Sequence, residues 1–306
     1  MKNSFLNARY IIIIPIVLAL LASHLSRAIR WKILMEPFGY NPRISNTFLA
    51  VLIGYLANLA FPRLGEILKC TILARYEKIP ADKLVGTIVA ERAFDVICLL
   101  VVMCAAFFTQ TEIIGEYLTN TITAALASKT GGISLQKAIT SLSILIVVFL
   151  LFIFILRKFA HVSIIQKIKS ILQGIGQGII SIKYVKRKGL FIVHSVFIWS
   201  MYLLSVRLGF LALQETSIYA WKPSLSVLTT GSLAMIMPSP GGLGFYPVFV
   251  QATMELYGLK NTIGFAFGAL MWAVQFFQML LSGFVALLIL PTLNKQKKIH
   301  AESGLH

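Results

Sequence analysis

The sequence is poor in charged residues and poorer still in acidic ones. Only 13% of its 306 residues are charged, and there are 11 Asp and Glu residues against 28 Lys and Arg residues. Soluble globular domains carry a charged share of about 25%, whereas 58% of this chain is hydrophobic. The composition therefore excludes an ordinary soluble domain and indicates an all-α polytopic membrane protein.

The chain also lacks the usual signs of a nucleic-acid-binding protein, although its net charge is +17. No basic patch with interleaved aromatic residues and no recognition motif accompanies the positive charge. In a membrane protein, Lys and Arg report topology and contact with anionic lipid headgroups. We therefore expect membrane lipids with anionic headgroups as partners and no nucleic acid, and a homo-oligomer is compatible with the sequence.

Motifs for enzyme chemistry are missing as well. The three cysteines form no CxxC pair, and the histidines are scattered without the spacing of metal ligands. There is no P-loop, nucleophile elbow or zinc motif. We expect no metal, no cofactor and no catalytic activity, but an intramembrane enzyme that uses Glu91 or Asp95 as a general base stays open as an alternative.

What the chain does contain is long apolar runs. A bilayer core is about 30 Å thick, which takes about 20 residues of helix to cross. The sequence predicts five clear transmembrane helices, at Tyr10–Ala28, Thr87–Phe108, Ser141–Leu156 with its flanks, Leu190–Leu213 and Phe267–Leu290.

Two further apolar stretches are interrupted by helix-breaking residues. The first covers residues 44–76 and is broken at Pro62-Arg63-Leu64-Gly65. The second covers residues 224–257 and is broken by MPSPGGLGFYPVF, which starts at Met237. Each arm of the second stretch is too short to cross the membrane as a helix. Both stretches are therefore predicted to be re-entrant helical hairpins.

The distribution of Lys and Arg favours one orientation. When Tyr10–Ala28 runs from outside to inside and both hairpins are re-entrant, most basic residues collect on the cytoplasmic side. The first hairpin then enters from the cytoplasm, the second enters from outside, and the C-terminus is cytoplasmic.

This layout divides a single membrane domain into two halves of opposite orientation. Repeat 1 covers residues 10–108 and repeat 2 covers residues 190–290, each as span, hairpin and span. Between them, residues 109–189 hold an outer loop, the span 141–156 and an amphipathic linker helix at 161–188, and residues 291–306 form a basic tail. Inverted repeats with broken segments at matching positions are typical of transporters. A chance similarity of two apolar segments is the alternative.

The candidate site residues lie at the tips of the two predicted hairpins and on the span that follows the first hairpin. Glu91 and Asp95 are four residues apart on one helical face inside the membrane, where they need partners, and Arg63 is the expected one. The glycines of the second hairpin offer backbone amides to an anion. The candidate substrate-binding residues are Arg63, Glu66, Glu91, Arg92, Asp95, Pro240, Gly241, Gly242 and Gly244.

Each of these features also has a purely structural interpretation. The charges form a closed salt-bridge network that only holds the first hairpin in place. The glycines allow a tight crossing of two helices. The sequence leaves both interpretations open beside the functional one.

Four stretches together resemble a known family. They are HLSRAIRWK from His24, NTFLAVLIGYLANLAFPRLGE from Asn46, GTIVAERAFD from Gly86, and the Pro-Gly-Gly turn of the second hairpin. The chain resembles the lysylphosphatidylglycerol synthase transmembrane region, a flippase-like family, over nearly its whole length. The resemblance implies a bacterial inner-membrane protein that moves an anionic or aminoacylated phospholipid, or a polyprenyl-phosphate lipid, between leaflets.

The chain departs from the family pattern in three places. The soluble aminoacyl-transferase domain of the synthases does not follow the membrane region, so we do not expect synthase activity. Members often begin with one further span. Many also carry an acidic residue after the Gly-Gly turn, where this sequence has Tyr246 and Pro247. A lipid transporter is thus the leading expectation, with an intramembrane enzyme or an accessory subunit of lipid or glycan-lipid synthesis as the alternative.

Overall fold

The computed structural model describes residues 8–110, 185–237 and 239–302. Helices and the turns between them make up these residues, and no strand occurs within the described ranges. The helices are α1 (Ile13–Met35), α2 (Ile44–Ala60), α3 (Leu64–Glu77), α4 (Ala81–Thr109), α5 (Lys188–Phe210), α6 (Trp221–Ile236), α7 (Phe245–Glu255) and α8 (Asn261–Glu302).

Three segments of the described chain are long and apolar enough to cross a bilayer. They are Tyr10–Phe38, Lys188–Phe210 and Asn261–Lys295. They establish an all-helical membrane protein with several passes. The count of five transmembrane helices stays a prediction, and the predicted span 141–156 and linker helix 161–188 lie outside the described residues except for positions 185–188.

The first broken stretch folds as α2 and α3, joined by a turn at Phe61, Pro62 and Arg63. The two helices pack antiparallel, because Asn58 Oδ1 accepts a hydrogen bond from the amide of Gly65 near the turn and Asn46 Nδ2 donates one to Glu77 Oε1 at the far end. A Cβ at Gly65 would overlap the carbonyl of Gly54. The absence of a side chain at Gly65 therefore lets the two backbones touch.

The second broken stretch folds in the same way, as α6 and α7. Thr253 Oγ1 donates a hydrogen bond to Thr230 Oγ1 at 2.8 Å, and Ser226 Oγ lies 3.0 Å from Tyr257 Oη farther from the turn. The turn needs glycine because the φ angles at Gly241, Gly242 and Gly244 are 56°, 74° and 80°. Re-entry of either hairpin into the membrane, and the inverted-repeat relation between them, stay predictions.

The tips of the two hairpins lie against each other. A Cβ at Gly241 would approach Leu59 Cδ2, near the end of α2, to 2.7 Å. The carbonyl of Gly241 accepts a hydrogen bond of 2.9 Å from Trp272 Nε1 on α8. The Pro-Gly-Gly turn is thus fixed between the first hairpin and the last helix.

Helix α8 also closes the other side of the first hairpin. A Cβ at Gly283 would lie 2.5 Å from Leu56 Cβ, so α8 and α2 are in close contact there. At the end of the same interface, the amides of Asn46 and Asn294 exchange two hydrogen bonds of 3.0 and 2.9 Å. The two hairpins and α8 consequently form one packed unit with α1, α4 and α5 around it.

Candidate functional site

A group of ionised side chains lies between α1, α3 and α4, and we call it the ion cluster. Helix α1 brings Arg27 and Arg30, which are three residues apart and so share a face. Helix α3 brings Glu66 and Lys69, and α4 brings Glu91, Arg92 and Asp95. Four cations thus meet three carboxylates, and the cluster has a formal excess of one positive charge.

The two carboxylates of α4 have firm partners. Arg27 Nη1 donates to Glu91 Oε1 at 2.9 Å and to Asp95 Oδ2 at 2.5 Å, and Arg30 Nη2 donates to Asp95 Oδ1 at 2.5 Å. Lys69 Nζ donates to Glu91 Oε2 at 3.2 Å. Since Glu91 and Arg30 have no exposed side-chain surface, these charges compensate one another instead of being compensated by water.

Arg92 is held far more loosely than the other arginines of the ion cluster. Its nearest carboxylate oxygens, on Glu91, Glu66 and Asp95, are 3.7, 3.8 and 3.9 Å away, which is beyond hydrogen-bonding distance. Its side chain is 43% exposed, whereas that of Arg27 is 6% exposed. Arg92 is therefore the most exposed and least firmly bound cation of the ion cluster, and it has N–H groups left to bind something else.

The structure corrects the predicted partner of the acidic residues. Arg63 was expected to neutralise Glu91 and Asp95, but it is exposed at the turn between α2 and α3, and their ion pairs within the described ranges are with Arg27, Arg30, Lys69 and Arg92. Arg63 has a left-handed backbone with φ of 71° and precedes α3. Adjacency in the predicted hairpin suggested the wrong cation, because α1 passes closer to α4 than the turn does.

Aromatic and hydroxyl side chains support the buried cations. The Trp31 ring lies under Lys69 Nζ, 4.7 Å from it, and Trp31 Nε1 donates to Thr87 Oγ1 at 2.9 Å. Arg30 Nη1 donates to Ser195 Oγ of α5 at 3.2 Å. A cation over an indole face gains electrostatic stabilisation when it is removed from water. These contacts stabilise the buried cations Lys69 and Arg30 of the ion cluster.

A cavity of about 340 Å³ lies next to the ion cluster. Arg27, Arg92 and Asp95 form its charged wall. Helix α6 contributes Gly231, Ser232, Met235 and Ile236 to its lining, and other lining residues are His24, Tyr55, Trp199, Tyr202 and Tyr246. The cavity thus joins the first hairpin, the second hairpin and the ion cluster in one space with a polar and an apolar side.

The predicted site residues divide between this cavity and the hairpin tips. Arg92 and Asp95 line the cavity, and Glu66 and Glu91 belong to the ion cluster behind it. Arg63, Pro240, Gly241, Gly242 and Gly244 are outside the lining. The Pro-Gly-Gly turn instead packs on Leu59 and Met235, with one carbonyl bound to Trp272.

Several residues of the site were not found by sequence reasoning. Arg27, Arg30 and Lys69 are absent from the predicted site residues, because basic residues near span ends were used only as markers of the cytoplasmic side. Their spacing carried the signal, because Arg27 and Arg30 share a face with Ser23 and His24, all of which are buried. His24 was interpreted as structural; its Nε2 is 3.2 Å from Gln278 Oε1, and its ring packs on Tyr55.

The described residues thus form a helical membrane protein of several passes with a polar cavity beside a buried ion cluster. Comparison of the sequence with known families gives the particular assignment. Residues 1–283 match the family described as lysylphosphatidylglycerol synthase TM region. The chain belongs to this family. Neither a curated protein nor a solved structure matches it.

Proposed function

We propose that this protein moves a phosphate-bearing lipid between the leaflets of the bacterial inner membrane, with the lipid headgroup bound in the cavity beside Arg92. The single observation that carries the proposal is that Arg92 faces the cavity without a close carboxylate partner. It lines the cavity, is 43% exposed and has no carboxylate within 3.5 Å, so its guanidinium has donors to offer to a phosphate.

The size and lining of the cavity support a lipid headgroup as the bound part. About 340 Å³ is at the lower end of small-molecule sites, which suits a headgroup and not a whole lipid. Apolar residues such as Val96, Leu99 and Ile236 line the cavity beside the charges. We infer that the headgroup occupies the polar side and that the acyl chains stay in the bilayer.

The orientation belongs to the proposal as well. With α1 running from outside to inside, Lys32 near the end of α1 and Lys295, Lys297 and Lys298 near the end of α8 lie on the cytoplasmic side, as the positive-inside rule favours. A direct contact of the lipid with Arg63 or with the Pro-Gly-Gly turn during transport stays a prediction.

The test is lipid translocation in liposomes. Purified protein is reconstituted, an acyl-labelled fluorescent phosphatidylglycerol is placed in both leaflets, and the fraction accessible to a membrane-impermeant quencher is followed with time. Wild-type protein should expose the inner-leaflet lipid faster than empty liposomes do. Arg92→Gln should slow this by about ten-fold or more, since a charged hydrogen bond to phosphate contributes about 1.5–3 kcal/mol.

Arg75→Gln is the matched control. Arg75 is an exposed arginine near the C-terminal end of α3, outside the cavity lining. It should translocate lipid at the wild-type rate. Equal rates for wild type and Arg92→Gln contradict the assignment of the site. Conversion of the lipid to a new chemical species, detected by mass spectrometry, would instead show the intramembrane enzyme.

A further inference from the structure

The cavity has an uneven distribution of charge that bears on what it can hold. Two guanidinium groups, Arg27 and Arg92, and one carboxylate, Asp95, line it. The charged lining residues therefore have a formal excess of one positive charge. An anion that enters balances this excess, whereas a cation that enters increases it.

The one carboxylate in the wall already has two cationic partners. Asp95 accepts from Arg27 at Oδ2 and from Arg30 at Oδ1, each at 2.5 Å, and only 15% of its side chain is exposed. An ammonium group that approaches Asp95 therefore meets a carboxylate whose charge two buried arginines already neutralise. Glu66 has a buried Oε2 without a hydrogen bond, but Glu66 is not part of the cavity lining.

The unpaired polar groups of the lining are mostly donors. Among the described residues, Nε of Arg27 and of Arg92 and the indole N–H of Trp199 are buried without a hydrogen-bond acceptor. Among the buried unpaired atoms of the described lining residues, the one acceptor is Nδ1 of His24, which suits a headgroup hydroxyl. Buried donors without acceptors are unfavourable, and phosphate oxygens would satisfy them.

We infer, on the basis of the proposed function, that the cavity selects lipids whose headgroup carries a phosphate and no ammonium group. Phosphatidylglycerol and a polyprenyl phosphate both meet this requirement. Lysyl-phosphatidylglycerol and phosphatidylethanolamine do not, because each brings an ammonium into a cavity that already holds Arg92 and Arg27, and the one carboxylate of the lining is already bound by two arginines. The site therefore excludes aminoacylated lipids, although it belongs to a family named for one.

Binding tests the inference independently of transport. Purified protein in a neutral detergent is titrated with each of the four lipids, all with matched chains where the chemistry allows, and the dissociation constants are measured by microscale thermophoresis. Phosphatidylglycerol, the polyprenyl phosphate or both should bind at least about ten-fold more tightly than the two ammonium lipids. Equal or tighter binding of lysyl-phosphatidylglycerol overturns the inference, as does a lack of binding by all four.

Two variants separate the cavity from the general positive charge of the protein. Arg92→Gln should reduce the preference for phosphatidylglycerol to about three-fold or less, whereas Arg75→Gln should leave it unchanged. Trp199→Phe keeps the ring and removes the N–H, and it should weaken phosphatidylglycerol several-fold with little effect on the ammonium lipids. A preference that survives both cavity variants comes from the protein surface and overturns the inference.

The liposome assay then distinguishes this inference from the proposed function. Selective binding with no translocation of any lipid leaves the selectivity standing and contradicts transport. Translocation of phosphatidylglycerol and lysyl-phosphatidylglycerol at equal rates supports transport and contradicts the selectivity. Parallel runs with phosphatidylglycerol and the polyprenyl phosphate show which of the two lipid sources the site accepts.

Discussion

Replacement of Glu91 by Gln should destabilise the protein strongly, and a second replacement should recover part of the loss. Glu91 has no exposed side-chain surface and holds Arg27 at 2.9 Å and Lys69 at 3.2 Å. Glu91→Gln leaves four cations against two carboxylates and turns an amide group toward one of the donors. Breaking a buried ion pair from one side costs about 3–5 kcal/mol, so we expect a loss of that size in the free energy of unfolding.

Lys69→Met, added to Glu91→Gln, removes the ammonium that has lost its partner. The double variant has three cations against two carboxylates, the same excess of one as the wild type. Met fills a similar volume over the Trp31 ring, and Lys69 is only 4% exposed. We expect the double variant to be more stable than Glu91→Gln by about 1–3 kcal/mol, the range of coupling between neighbours in one network.

The assay is equilibrium unfolding in mixed micelles of a mild detergent and dodecyl sulfate, followed by circular dichroism. Asp82→Asn is the control, since this carboxylate of α4 is 73% exposed and its ion pair with Lys83 spans 4.0 Å; its effect should stay below about 1 kcal/mol. If Glu91→Gln behaves like the control, or if Lys69→Met destabilises it further, the account of the ion cluster as a mutually compensated network is wrong.

Two further predictions concern packing and orientation. Gly65→Ala should lower the free energy of unfolding by about 1–3 kcal/mol, because its Cβ would meet the backbone of Gly54. The control Gly86→Ala should be neutral or slightly stabilising, because a Cβ there has nothing within 4 Å. Equal effects of the two substitutions would argue against the close approach of α2 and α3. In a cysteine-free background, Lys83→Cys should react with a membrane-impermeant maleimide only from the cytoplasmic side and Lys222→Cys only from outside, as mass-tag shifts on gels would show. Labelling of both from one side contradicts the orientation.

The helices of the hairpins can be predicted from the sequence because residues that disrupt helices mark where they end. Pro62 and the Pro-Gly-Gly turn disrupt two apolar runs, and the helices end and restart on either side of them. The pairing of Glu91 with Asp95 on one face followed from their spacing of four residues. Local rules of this kind need no knowledge of which helices are neighbours.

The members of the ion cluster could be identified only once the packing of α1 against α4 was known. A basic residue at the end of an apolar span fits the positive-inside rule equally well whether it lies in the cytoplasm or turns into the bundle. Arg30 stands near the end of an apolar span, as the rule expects of a cytoplasmic residue, but it is fully buried in the helix bundle. The same limit applies to Arg63, whose position beside the hairpin predicted a contact that its exposed place in the turn does not make.

The ion cluster has a mechanical consequence for the cavity. Hydrogen-bonded ion pairs join α1, α3 and α4 on one side of the cavity. They are formed by Arg27, Lys69, Glu91 and Asp95. The part of the lining that α6 contributes, Gly231, Ser232, Met235 and Ile236, contains no ionisable side chain. Separation of α1 from α4 would therefore break buried ionic bonds, whereas a displacement of α6 at the cavity would break none of them.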